Sequence, residues 1–534
     1  MAQARRAGLI RSRRINVFHR RNNTPTQEQI EGAGEVSVQG INPRNGQPVG
    51  EPIAETSAAE VDAICTRAQA AFAVWSRTSR EERAVVLEKI AAALDASTDE
   101  LVEIADAETA LGQPRLSGEI KRTSNQLRLF VSVLREGSYV EATLDSADPG
   151  IVPPRPELRR MLQPLGPVAV FSASNFPFAF STAGGDTASA LAAGCSVIVK
   201  AHSAQPGLAR ATAQVVARAL ADAGAPAGVF DIVYGTAAGS SLVQHPAIKA
   251  AGFTGSTQGG RVLFDLAQAR AEPIPFYGEL GSINPTVILP GAAADRGAEI
   301  AQGYAQSLTL GVGQFCTNPG LTFVPKTLAM ELADAVAKTA GGAMLTARIR
   351  DAYVSGTQSL AAHAAHIANG LANENAYGVQ PQLFAVDIST FAQDMEKYTE
   401  ECFGPAGLIV TYDDVDRVLA LLGRLPGSLT AGVHAAASDQ AAAAKAADAL
   451  RRIAGRVIYN GWPTGVAVAW GMQHGGPWPA TTNPLHTSVG ATAIRRWLAP
   501  VTFQSWPDAL LPPELQEGNP HQIPRRWDGV LGAQ

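Results

Sequence analysis

The chain has 534 residues, which is enough for two to four domains with sizeable cores. Its composition, 46% hydrophobic and 17% charged, is that of a compact globular enzyme and excludes a disordered or fibrous protein. A net charge of −5 gives no reason to expect nucleic acid as a partner. No apolar run reaches the roughly 18 residues that a membrane span requires, so a membrane protein is not expected either.

Residues 1–37 are polar and hold seven Arg residues before the first acidic one. They predict a disordered extension or a misassigned start codon, with a transit peptide as the less favoured alternative. The four cysteines lie far apart, with no CxxC pair and no Cys/His ligand spacing. This usage favours a reducing, cytoplasmic location over a disulfide framework, and it predicts no metal site.

Residues 57–112 predict three consecutive helices, each opened by a capping box in which a Ser hydroxyl and a Glu carboxylate satisfy free amide donors. The three boxes are Ser57 with Glu60, Ser79 with Glu82, and Ser97 with Glu100. This helical layer carries no visible chemistry.

Residues 166–280 alternate between short β-branched runs and Ala-rich helical stretches. The runs are Val168–Phe171, Ser196–Lys200, Val229–Val233 and Ala250–Thr254, and the helices lie near 182–193, 206–223, 238–245 and 257–269. Such alternation predicts βαβ units in a parallel, doubly wound sheet. Because ligands bind beyond the carboxyl ends of these strands, the polar residues that follow each run are candidates for a binding site.

Cys316 lies among Gly, Gln, Thr and Asn residues, whereas a buried structural cysteine normally has apolar neighbours. Gly311 and Gly313 allow the backbone to approach a ligand closely. Cys316 is therefore a candidate nucleophile, with a structural role as the equal alternative when it is taken alone. For Cys65 and Cys195 packing is favoured, and the role of Cys402 stays open.

Three further residues have both a chemical and a structural interpretation. Glu279 ends a strand-like apolar run, where a raised pKa would suit a general base; a salt-bridged strand-end Glu is the alternative. Asn175 can donate its side-chain amide to an oxyanion, or simply form a turn before a proline. Lys200 at the sheet edge can donate to ribose hydroxyls, or extend into solvent.

The loop Gly255–Gly260 joins a strand to a helix, and its free amides with the helix N-terminus can hold a pyrophosphate. The signal is weak because such turns are common and the G-x-G-x-x-G fingerprint is absent. His474, before two glycines, is a loop histidine that can be catalytic. His363 and His366 have no third ligand at the required spacing, so a solvated helix is favoured over a metal site.

Four segments occur in an order that resembles the aldehyde dehydrogenase superfamily along residues 38 to 510. They are Phe253–Ser256, Glu279–Gly281, Gly313–Cys316 and Glu401–Pro405. A closer resemblance is to the branch of 2,5-dioxopentanoate (α-ketoglutaric semialdehyde) dehydrogenases and related fatty-aldehyde dehydrogenases. It rests on Ser174–Asp186, Pro275–Glu279, Gln314–Pro319, His474–Pro479 and Phe503–Pro512. Ser282 departs from the pattern, since many members have a second Gly there.

The resemblance implies an α/β fold with a doubly wound, Rossmann-like cofactor domain, an α/β catalytic domain and a small oligomerisation element. The cofactor domain would comprise residues 38–147 and 166–280, and the catalytic domain residues 281–488. The oligomerisation element would comprise 148–165 and 489–515, followed by a C-terminal tail, 516–534. A homodimer or homotetramer is the implied assembly, and a small-molecule aldehyde is the implied partner.

The resemblance also implies a role for each candidate residue. Cys316 would attack the aldehyde, with the oxyanion held by the Asn175 side chain and the Cys316 backbone N–H. Glu279 would activate water to hydrolyse the thioester, and His474 is one source of thiolate stabilisation. The residues implied to bind the cofactor are Lys200, Ser203, Gly255, Ser256, Gly260, Glu401 and Phe403.

Cofactor preference depends on Ser203, because many NAD-preferring relatives carry a Glu at this position. A neutral hydroxyl can donate to a 2′-phosphate, so NADP is predicted to be accepted and slightly favoured over NAD. No Arg between residues 233 and 260 is present to bind that phosphate.

The expected reaction is oxidation of 2,5-dioxopentanoate to 2-oxoglutarate, with a medium- or long-chain fatty aldehyde as the alternative substrate. A Cys316–His474 hydrolase or acyltransferase without redox chemistry is the alternative from another class, and a retired dehydrogenase is disfavoured. The sequence shows no cation that would bind a substrate carboxylate, since the arginines of 157–160 are assigned to a subunit-bridging hairpin.

Overall fold

The computed structural model describes residues 36–532. The predicted N-terminal extension therefore lies almost wholly outside the described residues. The first described element is the strand Ser37–Ile41, which pairs with the antiparallel strand Pro48–Ala54.

Four helices form the first layer: Ala58–Trp75, Arg80–Ala96, Thr98–Thr109 and Gln113–Glu136. The capping boxes of the first two helices are confirmed, with Ser57 and Ser79 each accepting from the amide three residues on. The box predicted at Ser97 is wrong. Ser97 (φ −100°, ψ 13°) lies between two helices, and its amide donates to the carbonyls of Ala93 and Leu94, so its backbone ends the preceding helix.

The first large sheet has five parallel strands in the order Phe230–Val233, Val197–Lys200, Val168–Phe171, Ala250–Thr254 and Phe276–Glu279. It confirms the predicted parallel, doubly wound arrangement. The helices between its strands are Gly185–Ala193, Pro206–Asp222, Thr236–Gln244 and Thr257–Gln268. The central strand Val168–Phe171 is fully buried, as expected when helices cover both faces of a parallel sheet.

The second large sheet has seven strands and is parallel except at one edge. Its order is Ala365–Asn369, Gln382–Asp387, Ala406–Tyr412, Leu321–Pro325, Thr286–Ile288, Ser428–His434 and Ala454–Tyr459, with the first strand antiparallel. The helices of this part are Pro290–Thr309, Ala329–Ala337, Ala347–Ala361, Ile388–Gln393, Val415–Leu422 and Gln440–Leu450. A two-stranded ladder pairs Gly342–Ala343 with Gly378–Val379.

A third sheet is separate from the two parallel ones. It runs in the order Leu498–Gln504, Leu158–Pro164, Thr143–Asp145, Arg525–Trp527 and Val530–Gly532. Residues 158–160 lie in its strand Leu158–Pro164, and the buried Arg159 pairs there with Glu157, Asp508 and Glu517. The role of this segment in bridging subunits stays a prediction. Two of its strands come from the segment predicted as the tail, and one from residues assigned to the cofactor domain.

Within residues 36–532, no helix is both long and apolar enough to cross a membrane.

Candidate active site

Cys316 follows a tight backbone turn at the end of a long helix. After Pro290–Thr309 the chain forms a short 3-10 turn, in which Gly311, Val312 and Gly313 all have positive φ, between 57° and 65°. This left-handed conformation is costly for a β-branched residue such as Val312. A β-carbon on Gly313 would also collide with the backbone of Gly404, so this position requires glycine. The strained turn fixes the course of the backbone immediately before Cys316.

Three chemically active side chains converge at this loop. Cys316 Sγ lies 3.6 Å from His474 Nε2. The same nitrogen lies 3.0 Å from Glu279 Oε1. Glu279 is the last residue of the edge strand of the first sheet, and both it and His474 are buried. The structure thus brings to Cys316 two residues, Glu279 and His474, that lie 37 and 158 positions from it in the sequence.

The predicted electrostatics of Glu279 are wrong in direction. Burial acts to raise its pKa, as the sequence interpretation assumed. The nearby His474 and hydrogen bonds from His474 and Ser488 outweigh burial, so the pKa of Glu279 lies below its usual value. The carboxylate is ionised at neutral pH.

Cys316 does not carry the stabilised thiolate that the sequence interpretation required. Burial and the charge of Glu279 raise the pKa of the Cys316 thiol well above its usual value, and Glu401 adds to the effect. In this arrangement the thiol is protonated at neutral pH. An attack by sulfur therefore requires a base, and the ionised Glu279, whose charge and side-chain hydrogen bond act on the thiol, can be one.

Ser488 is a site residue that the sequence interpretation missed. Its hydroxyl donates to Glu279 Oε2 at 2.5 Å, and its amide donates to the His474 carbonyl at 2.9 Å. The neighbouring Thr487 accepts from the His474 amide at 2.8 Å. The segment around 488 thus holds both Glu279 and His474, although no motif marks it.

Asn175 lies beside the nucleophile loop. Its Nδ2 donates to the carbonyl of Gln314, two residues before Cys316, at 3.0 Å. Arg115 donates to the Asn175 carbonyl at 2.7 Å, and Glu119 accepts from the amides of Phe178 and Ala179. Arg115 and Glu119, both missed in the sequence, belong to the helix Gln113–Glu136 and fix the Asn175 segment against the Cys316 loop.

Asn284, also missed in the sequence, holds the other side of the nucleophile loop. Its Nδ2 donates to the carbonyls of Cys316 and Asn318, both at 2.8 Å. Ser282, the departure noted in the sequence, donates from Oγ to Asn284 Oδ1 at 2.7 Å. The hydroxyl at position 282 therefore orients the side chain that holds the backbone of Cys316.

The carboxyl edge of the first sheet carries the residues predicted to bind the cofactor. Lys200 ends its strand; burial lowers its pKa, and Glu55 counteracts this. Ser203 is exposed in the turn that follows. Between them, burial and the nearby cations Lys200 and Arg348 lower the pKa of His202 to about 4. Arg348 and Glu55 are two charges at this edge that the sequence interpretation missed.

The loop Gly255–Gly260 leads into the helix Thr257–Gln268. Gly255 and Ser256 are exposed, and Ser256 caps the helix by accepting from the Gly259 amide at 3.2 Å. A β-carbon on Gly260 would collide with Leu280, so the glycine permits close packing of helix and strand end. The exposed helix N-terminus fits an anionic group such as a pyrophosphate.

Glu401 and Phe403 line a cavity together with Phe315. Burial raises the pKa of Glu401 to about 7. A β-carbon on Gly281 would lie 2.7 Å from Glu401 Oε2, so the glycine leaves room for the carboxylate. The charge of Glu401 also acts on Cys316, so this side of the cavity lies within electrostatic range of the sulfur.

The sequence interpretation also considered three other cysteines and the pair His363 and His366. Cys65 and Cys195 are buried, as the packing interpretation predicted. Cys402 donates weakly to the Tyr353 carbonyl at 3.8 Å. His363 and His366 do not share a helix, because the helix ends at Ala361 and His366 lies in the strand Ala365–Asn369.

Within the described part of the chain, one group combines three potential metal ligands: Glu279, Cys316 and His474, whose ligand atoms all lie within 4.8 Å of one another. The same atoms form the catalytic candidate described above. The absence of a metal from the working site stays a prediction.

A family model described as the aldehyde dehydrogenase family matches residues 30–477 of this sequence. The chain therefore belongs to the aldehyde dehydrogenase family, and it is an oxidoreductase. This assignment favours the dehydrogenase interpretation over the cysteine hydrolase or acyltransferase.

Two relatives are similar over nearly their whole length. α-Ketoglutaric semialdehyde dehydrogenase 2 of Azospirillum brasilense is 47% identical over 94% of this chain and 99% of its own. α-Ketoglutaric semialdehyde dehydrogenase of Acinetobacter baylyi is 42% identical over 93% of this chain and 96% of its own. The predicted branch of the superfamily is confirmed.

Solved structures share the fold. PnpE in complex with nicotinamide adenine dinucleotide has a TM-score of 0.75 at 23% identity, over 88% of this chain and 94% of its own. A mutant of aldehyde dehydrogenase C from Pseudomonas syringae, in complex with NAD+ and octanal, has a TM-score of 0.74 at 24% identity. The match covers 89% of this chain and 95% of that one.

Proposed function

We propose that this enzyme oxidises 2,5-dioxopentanoate to 2-oxoglutarate, with NAD(P) as the hydride acceptor and Cys316 as the nucleophile. The observation that supports the chemistry is the contact of Cys316 Sγ with His474 Nε2, which itself lies beside Glu279. The two semialdehyde dehydrogenases that are 47% and 42% identical support the substrate.

In the first half of the reaction, a sulfur–carbon bond forms between Cys316 and the aldehyde carbon. Because the Cys316 thiol is protonated at rest, its proton passes to the ionised Glu279 carboxylate as the bond forms. His474 Nε2, 3.0 Å from Glu279 Oε1, holds that carboxylate in place. The developing oxyanion accepts from the side-chain amide of Asn175 and the Cys316 N–H; one such donor is worth roughly 100- to 1000-fold in rate.

In the second half, the thiohemiacetal loses a hydride and becomes a thioester, which water then hydrolyses. The nicotinamide, when bound, supplies the hydride acceptor. Glu279 first releases the Cys316 proton to solvent and then, held by Ser488, takes a proton from the attacking water. The carbon–sulfur bond breaks, Cys316 recovers a proton, and the carboxylate product leaves. The net change is aldehyde, water and NAD(P)+ to carboxylate, NAD(P)H and two protons.

The cofactor would lie along the carboxyl edge of the first sheet. The exposed N-terminus of Thr257–Gln268 suits the pyrophosphate, and Lys200 suits the adenosine ribose. Glu401 and Phe403 would hold the nicotinamide ribose. The exposed, neutral Ser203 and the cation Arg348 favour acceptance of a 2′-phosphate, so NADP is proposed as the slightly preferred cofactor; Glu55 acts in the opposite sense.

Ser203→Glu tests the cofactor proposal. A carboxylate here would accept from a ribose 2′-hydroxyl and repel a 2′-phosphate, so kcat/KM with NADP should fall by at least about 30-fold. With NAD it should change less than about threefold. Glu55→Gln is the complementary variant and should raise the NADP-to-NAD ratio. If the wild type used NADP hundreds of times less efficiently than NAD, the proposed preference would be wrong.

A panel of aldehydes tests the substrate. Reduction of NAD and of NADP is followed at 340 nm with 2,5-dioxopentanoate, succinic semialdehyde, pentanal and a long-chain aldehyde. The proposal expects 2,5-dioxopentanoate to give the highest kcat/KM. A higher value with the long-chain aldehyde would instead establish the fatty-aldehyde alternative.

Assembly and location are part of the same proposal. Each of the four cysteines is a free thiol, which supports a reducing, cytoplasmic environment. The third sheet exposes Leu531 and Val530 and has Leu498–Gln504 at one edge, which supports its use as an oligomerisation element. The domain division predicted from the sequence is also part of this proposal.

A further inference from the structure

The proposed substrate carries a carboxylate at the end opposite its aldehyde. A site that selects such a molecule needs a cation, and Arg is suited to the task because its guanidinium can donate two parallel hydrogen bonds to a carboxylate. The identity of the cation that would bind the substrate carboxylate is inferred here, and this inference rests on the proposed function.

Two arginines of the helix Gln113–Glu136 face the aromatic residues around the nucleophile. Arg115 and Arg122 are seven residues apart, so they lie two turns apart on the same helix face. Arg122 lies over the ring of Phe180 at 5.4 Å, and that ring contacts His474 at 6.2 Å. Arg115 lies over the ring of Phe315, next to Cys316, at 5.0 Å.

The two guanidiniums differ in how they are bonded. Arg115 donates to the Asn175 carbonyl at 2.7 Å and so acts as a positioning residue. Arg122 makes a single long hydrogen bond, from Nη2 to the Val466 carbonyl at 3.4 Å. Nη1 of both arginines is buried and has no hydrogen-bond partner among residues 36–532. An unpaired buried donor is costly, and Arg122, whose one hydrogen bond is long, is the less engaged of the two and so the better placed to take an added acceptor.

A third arginine in this region has both of its terminal nitrogens bonded. Arg456 donates to the carbonyls of Gly465 and Pro463 at 2.9 and 2.6 Å. Arg122 binds the same loop only weakly. A thiolate at Cys316 would raise the pKa of both Arg122 and Arg456, so both lie within electrostatic range of the sulfur.

The acidic neighbour of Arg122 has one of its two oxygens engaged. Glu119 is buried, its Oε1 accepts from the amides of Phe178 and Ala179 at 2.9 and 3.0 Å, and its Oε2 has no hydrogen-bond partner in the described part of the chain. Its charge acts on both Arg115 and Arg122, so one carboxylate serves two guanidiniums. The pair of arginines therefore keeps an excess positive charge that an anionic substrate group would balance.

We propose that Arg122 binds the terminal carboxylate of the aldehyde substrate while the aldehyde carbon meets Cys316. The rings of Phe176, Phe180 and Phe315 would cover the methylene groups between the two ends. Phe176 packs edge-to-face on both other rings, at 5.3 and 5.0 Å, so the three form one wall.

The test compares Arg122→Gln with wild type on three five-carbon aldehydes: 2,5-dioxopentanoate, 5-oxopentanoate and pentanal. The first two carry the carboxylate, and the third does not. For both carboxylates kcat/KM should fall about 30- to 300-fold, mainly through KM, because a desolvated charge pair is lost. For pentanal it should change less than about threefold.

Two further variants complete the design. Arg122→Lys keeps a positive charge without the fork, so it should retain part of the preference and serves if Arg122→Gln fails to fold. Arg128→Gln is the matched control, because Arg128 is on the same helix but pairs with Glu88 and Asp95. It should behave as wild type.

The outcomes separate this inference from the proposed function. A wild type that favours 2,5-dioxopentanoate over pentanal, with a preference unchanged in Arg122→Gln and Arg122→Lys, overturns the role of Arg122 and leaves the function standing. An equal loss with all three aldehydes also overturns it. A wild type that oxidises pentanal better than either carboxylate overturns the proposed function.

Discussion

Replacing Cys316 by Ala should lower aldehyde-dependent formation of NAD(P)H by more than about a thousandfold, because no other group can form the thioester. The side chain makes few contacts that stabilise the fold, and its loop is held by Asn284 through backbone carbonyls. Cofactor binding, measured by fluorescence titration, should therefore be retained. Turnover that survives unchanged would refute the assignment of Cys316.

Cys402→Ala is the matched control for this experiment. Cys402 is also half-buried and also lies near Glu401, yet its sulfur contacts a backbone carbonyl and no catalytic candidate. We expect activity within about threefold of wild type. A comparable loss in both variants would point to a general sensitivity of this region to cysteine replacement.

Glu279→Gln should have two opposite effects. The amide cannot take a proton from water, so steady-state turnover should fall by about 100- to 10,000-fold. The negative charge that raises the pKa of Cys316 is also removed, so this pKa should fall and the thiol should react faster with iodoacetamide at neutral pH. A slower turnover combined with faster alkylation is not expected from a simple loss of structure.

The pH dependence of alkylation shows directly whether Glu279 raises or lowers the pKa of Cys316. A thiol with a raised pKa is protonated at neutral pH, so the rate in wild type should rise throughout the alkaline range. In Glu279→Gln the midpoint of this rise should move to lower pH. Glu272→Gln, an exposed residue paired with Lys249, should leave it unchanged. An unmoved midpoint in Glu279→Gln would contradict the electrostatic coupling of Glu279 to Cys316.

Much of the fold could be predicted because local sequence features mark each strand of the first sheet. Its β-branched runs and Gly-containing turns fix strand ends to within one residue, as at Val168–Phe171 and Ala250–Thr254. The helix Gln113–Glu136 was missed because Gly112 precedes it and Pro114 is its second residue, and both residue types normally interrupt a helix. At the first turn a proline is tolerated, since its missing N–H would have no helical partner.

The site was only partly predictable, for a related reason. Cys316, Glu279 and His474 lie in segments with recognisable composition, but the consequences of their meeting depend on tertiary distances. The pKa of Glu279 follows from His474 at 3.0 Å, across nearly 200 residues of sequence, and could not be inferred from its apolar neighbours. Ser488 and Arg122 likewise have no local signal, because their roles come from the surfaces they contact.

The collision that forbids a side chain on Gly313 has a mechanical consequence. Gly313 and Gly404 are also joined by Asn318, whose Nδ2 donates to both of their carbonyls, at 3.1 and 2.8 Å. The turn that presents the sulfur and the stretch that ends in Glu401–Gly404 are thus clamped into one rigid body. A displacement of Glu401, on the side assigned to the dinucleotide, would be transmitted to the thiol without any hinge or closing flap.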